Sequence, residues 1–546
     1  MKIFKVIILI VMLLGIAVSG IILYPNYKKD INAGKLNLII NYTNVTSSMK
    51  GRVIIEDGEV YLSKTDIENY YDKYIHHDDK YNYIIIAKNK QVLCFDVSKQ
   101  ILDVNGKKSN AKVIVDNGDY YIPMSKLKDV YCIDVKYNEK SNTVVIESLD
   151  RKLITANVTK NTSIKYKRSS LSRTVKKVKS GDTVAIVPEQ SKLRGYTYVR
   201  SEDGKLGYIK SSYLSDEKVE REAKVNEDKK EKISMVWEYF ETTAPKKADG
   251  EKYEGVNVVA PTFLYMDGSN VKNRIDNNGI AYIKWAKSND YKVWAMLSNN
   301  NHSEDQMNSF STWINDYNKR KDVIDQLVGY AEQYGFDGIN IDFENVYLKD
   351  KEGLSRFIIE LKPLLENKGI TLSVDVTEPD GSDNWSLYFN RNLIGDVADY
   401  TVFMAYDQYG RTSTTAGPTA ACYWVEKNIN KFIKQEEVDS NKIILGIPFY
   451  TILWKEANGE LTGTAIPQKS IKIPANVQTT WLEDSKQNYM EYTQNGANYK
   501  MWIEDVEATS QKLDFIKQYD LAGAAFWTKG FEDSSVWSVV KQKVLE

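Results

Sequence analysis

The stretch FDGINIDFEN, residues 336–345, places polar side chains at every second position of an otherwise apolar run. On a β-strand, Asn340, Asp342 and Glu344 would share one face, and the apolar residues between them would share the other. Burying two neighbouring carboxylates without a cation costs on the order of several kcal/mol unless one carboxylate is protonated. Repulsion between them raises one pKa, and a carboxyl protonated near neutral pH can serve as a general acid. We therefore predict that the carboxylates of this strand serve catalysis rather than form a structural ion pair.

The elements that must position this strand follow from the pattern after Ile233, where short apolar segments alternate with amphipathic helical ones. The eight strand candidates are ISMVWEYF, VNVVAPTFLY, YKVWAMLS, GINIDFEN, ITLSVDVT, YTVFMAYD, KIILGIPFY and AGAAFWTKG. Apolar strands joined by helical crossovers are typical of a parallel sheet covered on both faces. The pattern predicts a (β/α)8 TIM barrel over residues 233–546, with its catalytic groups at the carboxyl ends of the strands. Polar residues such as Tyr406, Asp407 and Lys529 follow the predicted strands at those ends.

The segment DGINIDFE resembles the acidic signature of glycoside hydrolase family 18, with Asn340 at a position where that family usually has aspartate. MAYD, from Met404, and FWTKG, from Phe526, resemble two further motifs of the family. The segment KMWIEDVEATSQKLDFIKQYDLAGAAFW resembles its spore-cortex and peptidoglycan branch more than its main chitinase branch. The resemblance covers residues 232–546.

This resemblance implies retaining, substrate-assisted hydrolysis, an exception to the two-carboxylate scheme. Glu344 would protonate the glycosidic oxygen while the 2-acetamido oxygen of the sugar attacks. Asp342 would hold the acetamido N–H and raise the pKa of Glu344, and Tyr406 would donate a hydrogen bond to the acetamido carbonyl. The expected substrate-binding residues are Asp337, Asn340, Asp407 and Trp527. No metal or other cofactor is implied.

Two smaller modules are expected before the barrel. Residues 36–149 contain a weak internal repeat, DGEVYLSKTDIENYY and NGDYYIPMSKLKDVY, and resemble the N-terminal α+β module of copper amine oxidases, without an implied copper site. Residues 150–215 resemble a small all-β bacterial SH3-like domain, which could bind a cell-wall peptide or serve only as a spacer. The charged residues 216–232 predict a solvated helical or flexible linker.

The first 27 residues indicate export. Residues 6–24 form an uncharged run of 19 residues flanked by lysines, about the length that spans a bilayer. We expect an uncleaved transmembrane anchor, with a cleaved signal peptide as the alternative, and an extracytoplasmic location in either case. Net charge is −1, from 73 basic and 74 acidic residues, so nothing marks the whole chain as a nucleic-acid binder. Three scattered cysteines do not predict a disulfide framework, and a single bridge between Cys94 and Cys132 is left open.

Together these features predict a membrane-anchored glycosidase that cuts β-1,4 bonds after N-acetylglucosamine in peptidoglycan of the cell wall or spore cortex. A chitinase acting on chitin oligomers is the first alternative. A catalytically silent, lectin-like or structural wall protein is the second, and loss of the acid would mark it; Glu344 is present.

Overall fold

A computed structural model describes residues 36–188, 195–224, 231–239 and 252–546. The chain divides near residue 228 into two compact units, which are treated separately below. The predicted membrane segment, residues 6–24, lies outside the described residues. Within the described ranges, no helix is long and apolar enough to cross a membrane.

The internal repeat of the first module is confirmed as two β-hairpins. Strand Ile54–Glu56 pairs with Glu59–Ser63, and Ile114–Asp116 pairs with Asp119–Pro123. The two hairpins join antiparallel into one four-stranded sheet, with Leu62 opposite Ile122. The turns at residues 57–58 and 117–118 all have positive φ, as tight hairpin turns of this kind require.

Two further sheets and two short helices complete this module. One sheet contains strands Asn37–Ile40, Thr43–Asn44, Ile133–Asn138 and Thr143–Ser148. The other contains His76–Asp78, Tyr83–Lys88, Gln91–Asp96, Ile101–Val104 and Lys107–Asn110, and the helices are Lys64–Tyr70 and Lys128–Tyr131. Cys94 and Cys132 are both free thiols.

The second module is a seven-stranded antiparallel sheet. Its strands are Leu153–Asn157, Thr162–Lys165, Thr174–Val178, Thr183–Ile186, Tyr196–Ser201, Leu206–Lys210 and Lys218–Arg221. The seventh strand pairs with the first, so the prediction of a linker over 216–232 is wrong for its first part. That strand is an edge strand with mostly exposed side chains, which explains its linker-like composition. The sheet agrees with a small all-β module, and the SH3-like assignment stays a prediction.

The second unit is a closed barrel of eight parallel strands, and all eight strand predictions are confirmed. In chain order they are Ile233–Glu238, Val258–Pro261, Lys292–Ser298, Gly338–Asp342, Thr371–Val376, Tyr400–Met404, Ile443–Pro448 and Gly523–Trp527. Each strand pairs with its neighbours in sequence. The ring closes where the first strand pairs with the eighth. The α-helices around it are Asn277–Ser288, Glu304–Ile314, Tyr317–Tyr334, Lys351–Asn367, Arg391–Val397, Cys422–Lys434, Val506–Gln518 and Val536–Val540.

Two β insertions interrupt the barrel pattern. A hairpin, Leu264–Asp267 with Asn270–Asn273, follows the second barrel strand. A five-stranded antiparallel sheet lies between the seventh and eighth strands, with members Tyr450–Ala457, Glu460–Pro467, Thr480–Leu482, Gln487–Gln494 and Ala497–Ile503. Beside it, Lys512 and Glu504 form a fully buried ion pair, Nζ to Oε2 2.8 Å.

The fourth barrel strand separates two apolar regions. Ile339 and Ile341 point outward into the large core between strands and helices. The barrel interior is a second cluster that includes Trp237 and Trp294. At the amino end of the strand, Gly338 leaves space that the Trp294 ring occupies, since an added Cβ would lie 2.4 Å from Trp294 Cδ1.

Candidate active site

Glu344 lies just beyond the carboxyl end of the fourth barrel strand, and its main chain is held by neighbouring side chains. Asn299 accepts from Glu344 N at 3.1 Å and donates to Glu344 O at 2.6 Å. On the other side, Tyr388 Oη donates to Phe343 O at 2.8 Å. Asn301 Nδ2 donates to Asn345 O at 3.2 Å. The main chain at Glu344 is therefore held by residues that follow the third strand and by Tyr388, which follows the fifth.

Below Glu344, a buried polar network fills the upper interior of the barrel. Asn340 is fully buried and makes three hydrogen bonds. Its Oδ1 accepts from Trp237 Nε1 at 2.9 Å, and its Nδ2 donates to Ser373 Oγ at 3.0 Å and to Asp375 Oδ1 at 2.7 Å. Because an indole N–H can only donate, it fixes the orientation of the Asn340 amide, which must present its NH2 to Asp375.

Asp342 and Asp375 each retain one buried carboxyl oxygen without a hydrogen-bond partner, Oδ1 and Oδ2 respectively. Burial raises the pKa of Asp342 well above its usual range, and the nearby Glu344 and Asp375 raise it further. Burial also raises the pKa of Asp375 well above its usual range, against the hydrogen bond from Asn340 that lowers it. Among the described residues, no Lys or Arg forms an ion pair with Asp342, Asp375 or Glu344. The cluster therefore retains protons at pH values where isolated carboxyls are ionised.

The pKa of the Glu344 carboxyl is raised, first by burial and then by the negative charge of Asp407. This is the direction that a general acid requires, because the group must carry its proton at the pH of reaction. Asp342, Asp375 and Glu344 lie near enough for the charge of one carboxyl to raise the pKa of another, and the catalytic role of Glu344 stays a prediction. Asn340 lies on the inner face, as the alternation predicts, and Ile339 and Ile341 lie outside.

The sixth and eighth strands contribute aromatic groups to the same region. Tyr406 follows the sixth strand and packs against the interior cluster, and burial raises the pKa of its hydroxyl well above 10. Asp407, next to it, accepts from Tyr450 Oη at 2.5 Å. Trp527 ends the eighth strand, with its ring 5.9 Å from Trp237 in an edge-to-face arrangement. The structure thus brings Glu344, Asp342, Tyr406, Asp407 and Trp527 to one end of the barrel.

Two expected substrate contacts are corrected by the structure. Asp337 precedes the strand, and its Oδ2 accepts from Val293 N at 2.9 Å. At about 3.3 Å per residue it lies about 20 Å from Glu344, at the opposite end of the barrel. Asn340 cannot contact substrate because it is fully buried and its amide is bonded to Trp237, Ser373 and Asp375.

Sequence reasoning missed several groups that shape the site, chiefly Asp375, Asn299, Tyr388 and Tyr450. One signal was available for Asp375: in the strand LSVDVT it is a lone carboxylate in an apolar run, two residues after Ser373. The others lie on loops or in the insertion, where no alternation indicates which way a side chain points. Among the described residues, no group of His, Cys, Asp and Glu is arranged to hold a metal ion.

A proton donor and aromatic side chains at the same end of the barrel are what a glycoside hydrolase needs in order to protonate a glycosidic oxygen and bind a sugar. The sequence model for glycosyl hydrolases family 18 matches residues 232–532. The chain belongs to this family and is a glycoside hydrolase. The model for the copper amine oxidase N-terminal domain matches residues 39–146, which confirms that resemblance.

Several curated proteins are similar in sequence to this chain. The chain is 28% identical over 272 residues to the uncharacterized glycosylase YvbX of Bacillus subtilis, covering 48% of this chain and 77% of that one. It is 23% identical over 241 residues to the cortical fragment-lytic enzyme of the same organism, covering 42% of this chain and 55% of the relative. The spore cortex-lytic enzyme SleL of Bacillus megaterium shares the fold, with 18% identity, a TM-score of 0.51 and coverage of 67% of this chain and 89% of that chain.

Proposed function

We propose that the protein is a retaining hydrolase that cuts β-1,4 bonds after N-acetylglucosamine in peptidoglycan. The observation that carries this proposal is the place of Glu344, just beyond the carboxyl end of the fourth barrel strand and near two buried carboxyls with no cationic partner among the described residues; burial there raises the pKa of Glu344. A proton donor of this kind contributes about 10²–10⁴-fold in rate. Two relatives are named as cortical fragment-lytic or spore cortex-lytic enzymes, which favours peptidoglycan as the substrate.

In the proposed reaction, Glu344 gives its proton to the glycosidic oxygen as the bond to the anomeric carbon breaks. The 2-acetamido oxygen attacks that carbon and forms a cyclic oxazolinium ion. Water then opens this ion with retention of configuration, while the Glu344 carboxylate takes a proton from that water and is restored as the acid. Asp342 accepts a hydrogen bond from the acetamido N–H, and Tyr406 donates one to the acetamido carbonyl. Trp527 would lie under the apolar face of the sugar ring.

Asp375 acts through Asp342 in this scheme. Because both carboxyls are buried and the charge of Asp375 raises the pKa of Asp342, a proton bound by either one removes most of their repulsion. As substrate binds, Asp342 can turn toward the acetamido N–H while Asp375 keeps the proton. We regard Asp375 as a positioning residue, since its hydrogen bond to Asn340 holds it below the sugar site.

Product analysis tests both the bond and the substrate. Purified peptidoglycan and chitin oligomers are digested separately, and the new reducing ends are identified by mass spectrometry. We expect muropeptides that end in N-acetylglucosamine, and no product from the Glu344→Gln variant, which keeps the shape of the side chain but cannot donate a proton in the same way. Products from chitin alone would refute the assignment of peptidoglycan as the substrate. Failure of both substrates to give any product would refute the assignment of catalytic activity.

The same proposal places the barrel outside the cytoplasmic membrane, held by residues 6–24. Support comes from the length of that uncharged run and the lysines on both sides of it. Fractionation of cells that express the full chain, with and without residues 1–27, tests it. We expect the full chain in the membrane fraction and accessible to external protease; recovery in the cytosol would contradict the proposal.

A further inference from the structure

The small β module carries a concentrated positive charge that the glycosidase reaction does not use. Between residues 160 and 179 the chain has eight basic residues and no acidic one, whereas the whole chain has a net charge of −1. They are Lys160, Lys165, Lys167, Arg168, Arg173, Lys176, Lys177 and Lys179. A surface that serves only solubility usually mixes both signs, so this separation calls for a specific partner.

The sheet register places Lys165 and Lys177 on its outer surface, and the loop that follows Lys165 carries Lys167 and Arg168. Ile164, Val199 and Ile209 form the core of the module, so the residues next to them on each strand point outward. Lys177 lies opposite Ser163, Lys165 lies opposite Tyr208, and Tyr208 lies opposite Tyr198. We call Lys165, Lys167, Arg168, Lys177, Tyr198 and Tyr208 the basic face.

Two cations of the basic face, Arg168 and Lys165, are oriented by uncharged neighbours. The Arg168 guanidinium lies 4.9 Å from the centre of the Tyr208 ring, and Tyr208 packs 4.7 Å from Tyr198. Lys165 donates to the Thr174 hydroxyl at 3.0 Å, which carries no charge. Lys167, Arg168 and Lys177 are exposed, and none of them has an acidic partner among the described residues. Aromatic rings orient a cation while leaving its positive potential available.

We infer that the basic face binds a phosphodiester-linked anionic glycopolymer of the cell wall. Several cations spread over adjacent strands suit a chain with repeated negative charges rather than a single ion. Guanidinium and ammonium groups are the usual partners of phosphate oxygens, and the flat tyrosine rings beside them can pack on sugar or polyol units. The choice of a wall polymer over a nucleic acid rests on the proposed function, because the same chain carries a hydrolase for wall glycans.

The test uses the full chain with Glu344→Gln, so that hydrolysis does not alter the ligand. The probe is poly(glycerol phosphate), with dextran as a neutral polymer and duplex DNA as a second polyanion. The basic-face variant is Lys167→Gln, Arg168→Gln and Lys177→Gln. The matched control is Lys107→Gln, Lys108→Gln and Lys126→Gln, three exposed lysines of the other N-terminal module that remove the same charge.

We expect the basic-face variant to lower affinity for poly(glycerol phosphate) about tenfold or more, and the control less than about twofold. The slope of log affinity against log salt should fall by roughly two units in the basic-face variant, as expected when about three charge contacts are lost. Equal weakening by both variants, tighter binding of DNA than of poly(glycerol phosphate), or absence of polymer binding would each overturn the inference.

The outcome is separable from that of the proposed function. With Glu344 intact, the basic-face substitutions should leave the rate on short soluble muropeptides unchanged, because these residues are not part of the site. If the polymer binds but peptidoglycan is not cut, the proposed reaction fails and the binding surface stands. If peptidoglycan is cut and the polymer does not bind, the inferred binding surface fails and the proposed reaction stands.

Discussion

Exchanging the amide and the carboxylate between Asn340 and Asp375 provides a direct test of the buried network. In the protein, Asn340 Nδ2 donates to Asp375 Oδ1 at 2.7 Å. Asn340→Asp replaces this donor by a second carboxylate oxygen at the same distance. Two carboxylates that both stayed ionised at that separation would repel by roughly 6 kcal/mol at an effective dielectric constant of about 20, which is an upper bound because Asp375 has a raised pKa. Proton uptake limits the loss, at about 1.4 kcal/mol for each unit by which the pH exceeds the pKa.

We therefore expect Asn340→Asp to lower the free energy of unfolding by about 3 kcal/mol at pH 7, with a smaller loss at pH 5, where the extra proton is easily bound. The double variant Asn340→Asp/Asp375→Asn restores an amide donor opposite a carboxylate. Trp237 can still donate to position 340. The free energy of unfolding of the double variant should return to within about 1 kcal/mol of the wild-type value, giving a coupling energy of at least about 2 kcal/mol between positions 340 and 375.

Urea unfolding of the four proteins at pH 5 and pH 7 measures this coupling, and kcat/KM against pH on a chromogenic N-acetylglucosamine oligomer measures its effect on the reaction. Activity should fall in Asn340→Asp and recover in part in the double variant. The reasoning is wrong if Asn340→Asp is as stable as the wild type at pH 7, or if the second substitution adds no recovery.

Three further predictions concern residues around the site. Asp375→Asn should flatten the pH dependence of stability. Because the pKa of Asp375 is raised in the folded protein, the wild type loses stability as the pH rises above about 4, by up to about 1.4 kcal/mol per pH unit. Urea unfolding from pH 4 to 8 should show a smaller slope of stability against pH in the variant. Tyr450→Phe removes the hydrogen bond to Asp407 and should lower kcat several-fold with little change in melting temperature. An unchanged pH–rate profile would argue against a role of Tyr450 in holding Asp407 for the reaction. Asp337→Asn should cost about 1 kcal/mol of stability and leave kcat/KM unchanged, whereas a large loss of kcat/KM would restore the substrate-contact interpretation.

The barrel was predictable because its strands are unusually uniform. Segments such as Ile443–Pro448 are buried at every position, and continuous apolar runs of this length stand out from the amphipathic helices between them. The five-stranded insertion was not predictable in the same way. Strand Gln487–Gln494, QNYMEYTQ, buries only Gln487 and Met490, and its remaining positions are partly or fully exposed. Its pattern resembles a polar loop as much as a strand.

The acidic motif was predictable only in part, for a geometric reason. Alternation assigns Asn340, Asp342 and Glu344 to the inner face, but it does not say how far along the barrel axis each residue lies. Asp337 therefore looked like a member of the site although it lies at the opposite end. Asp375 belongs to the network through a contact between adjacent strands, Asn340 being opposite Ser373 in the sheet. A register of that kind cannot be obtained from one strand alone.

The glycine at position 338 leaves room for a tryptophan ring inside the barrel. The indole of Trp294 fills the volume that a side chain there would need, forming a floor beneath the polar layer. Even an alanine at 338 would force that ring to tilt or rise toward Asn340, one step above it on the same inner face. The smallest residue in the segment thus makes room for one of the largest rings of the barrel interior, and any side chain added at position 338 would have to displace that ring.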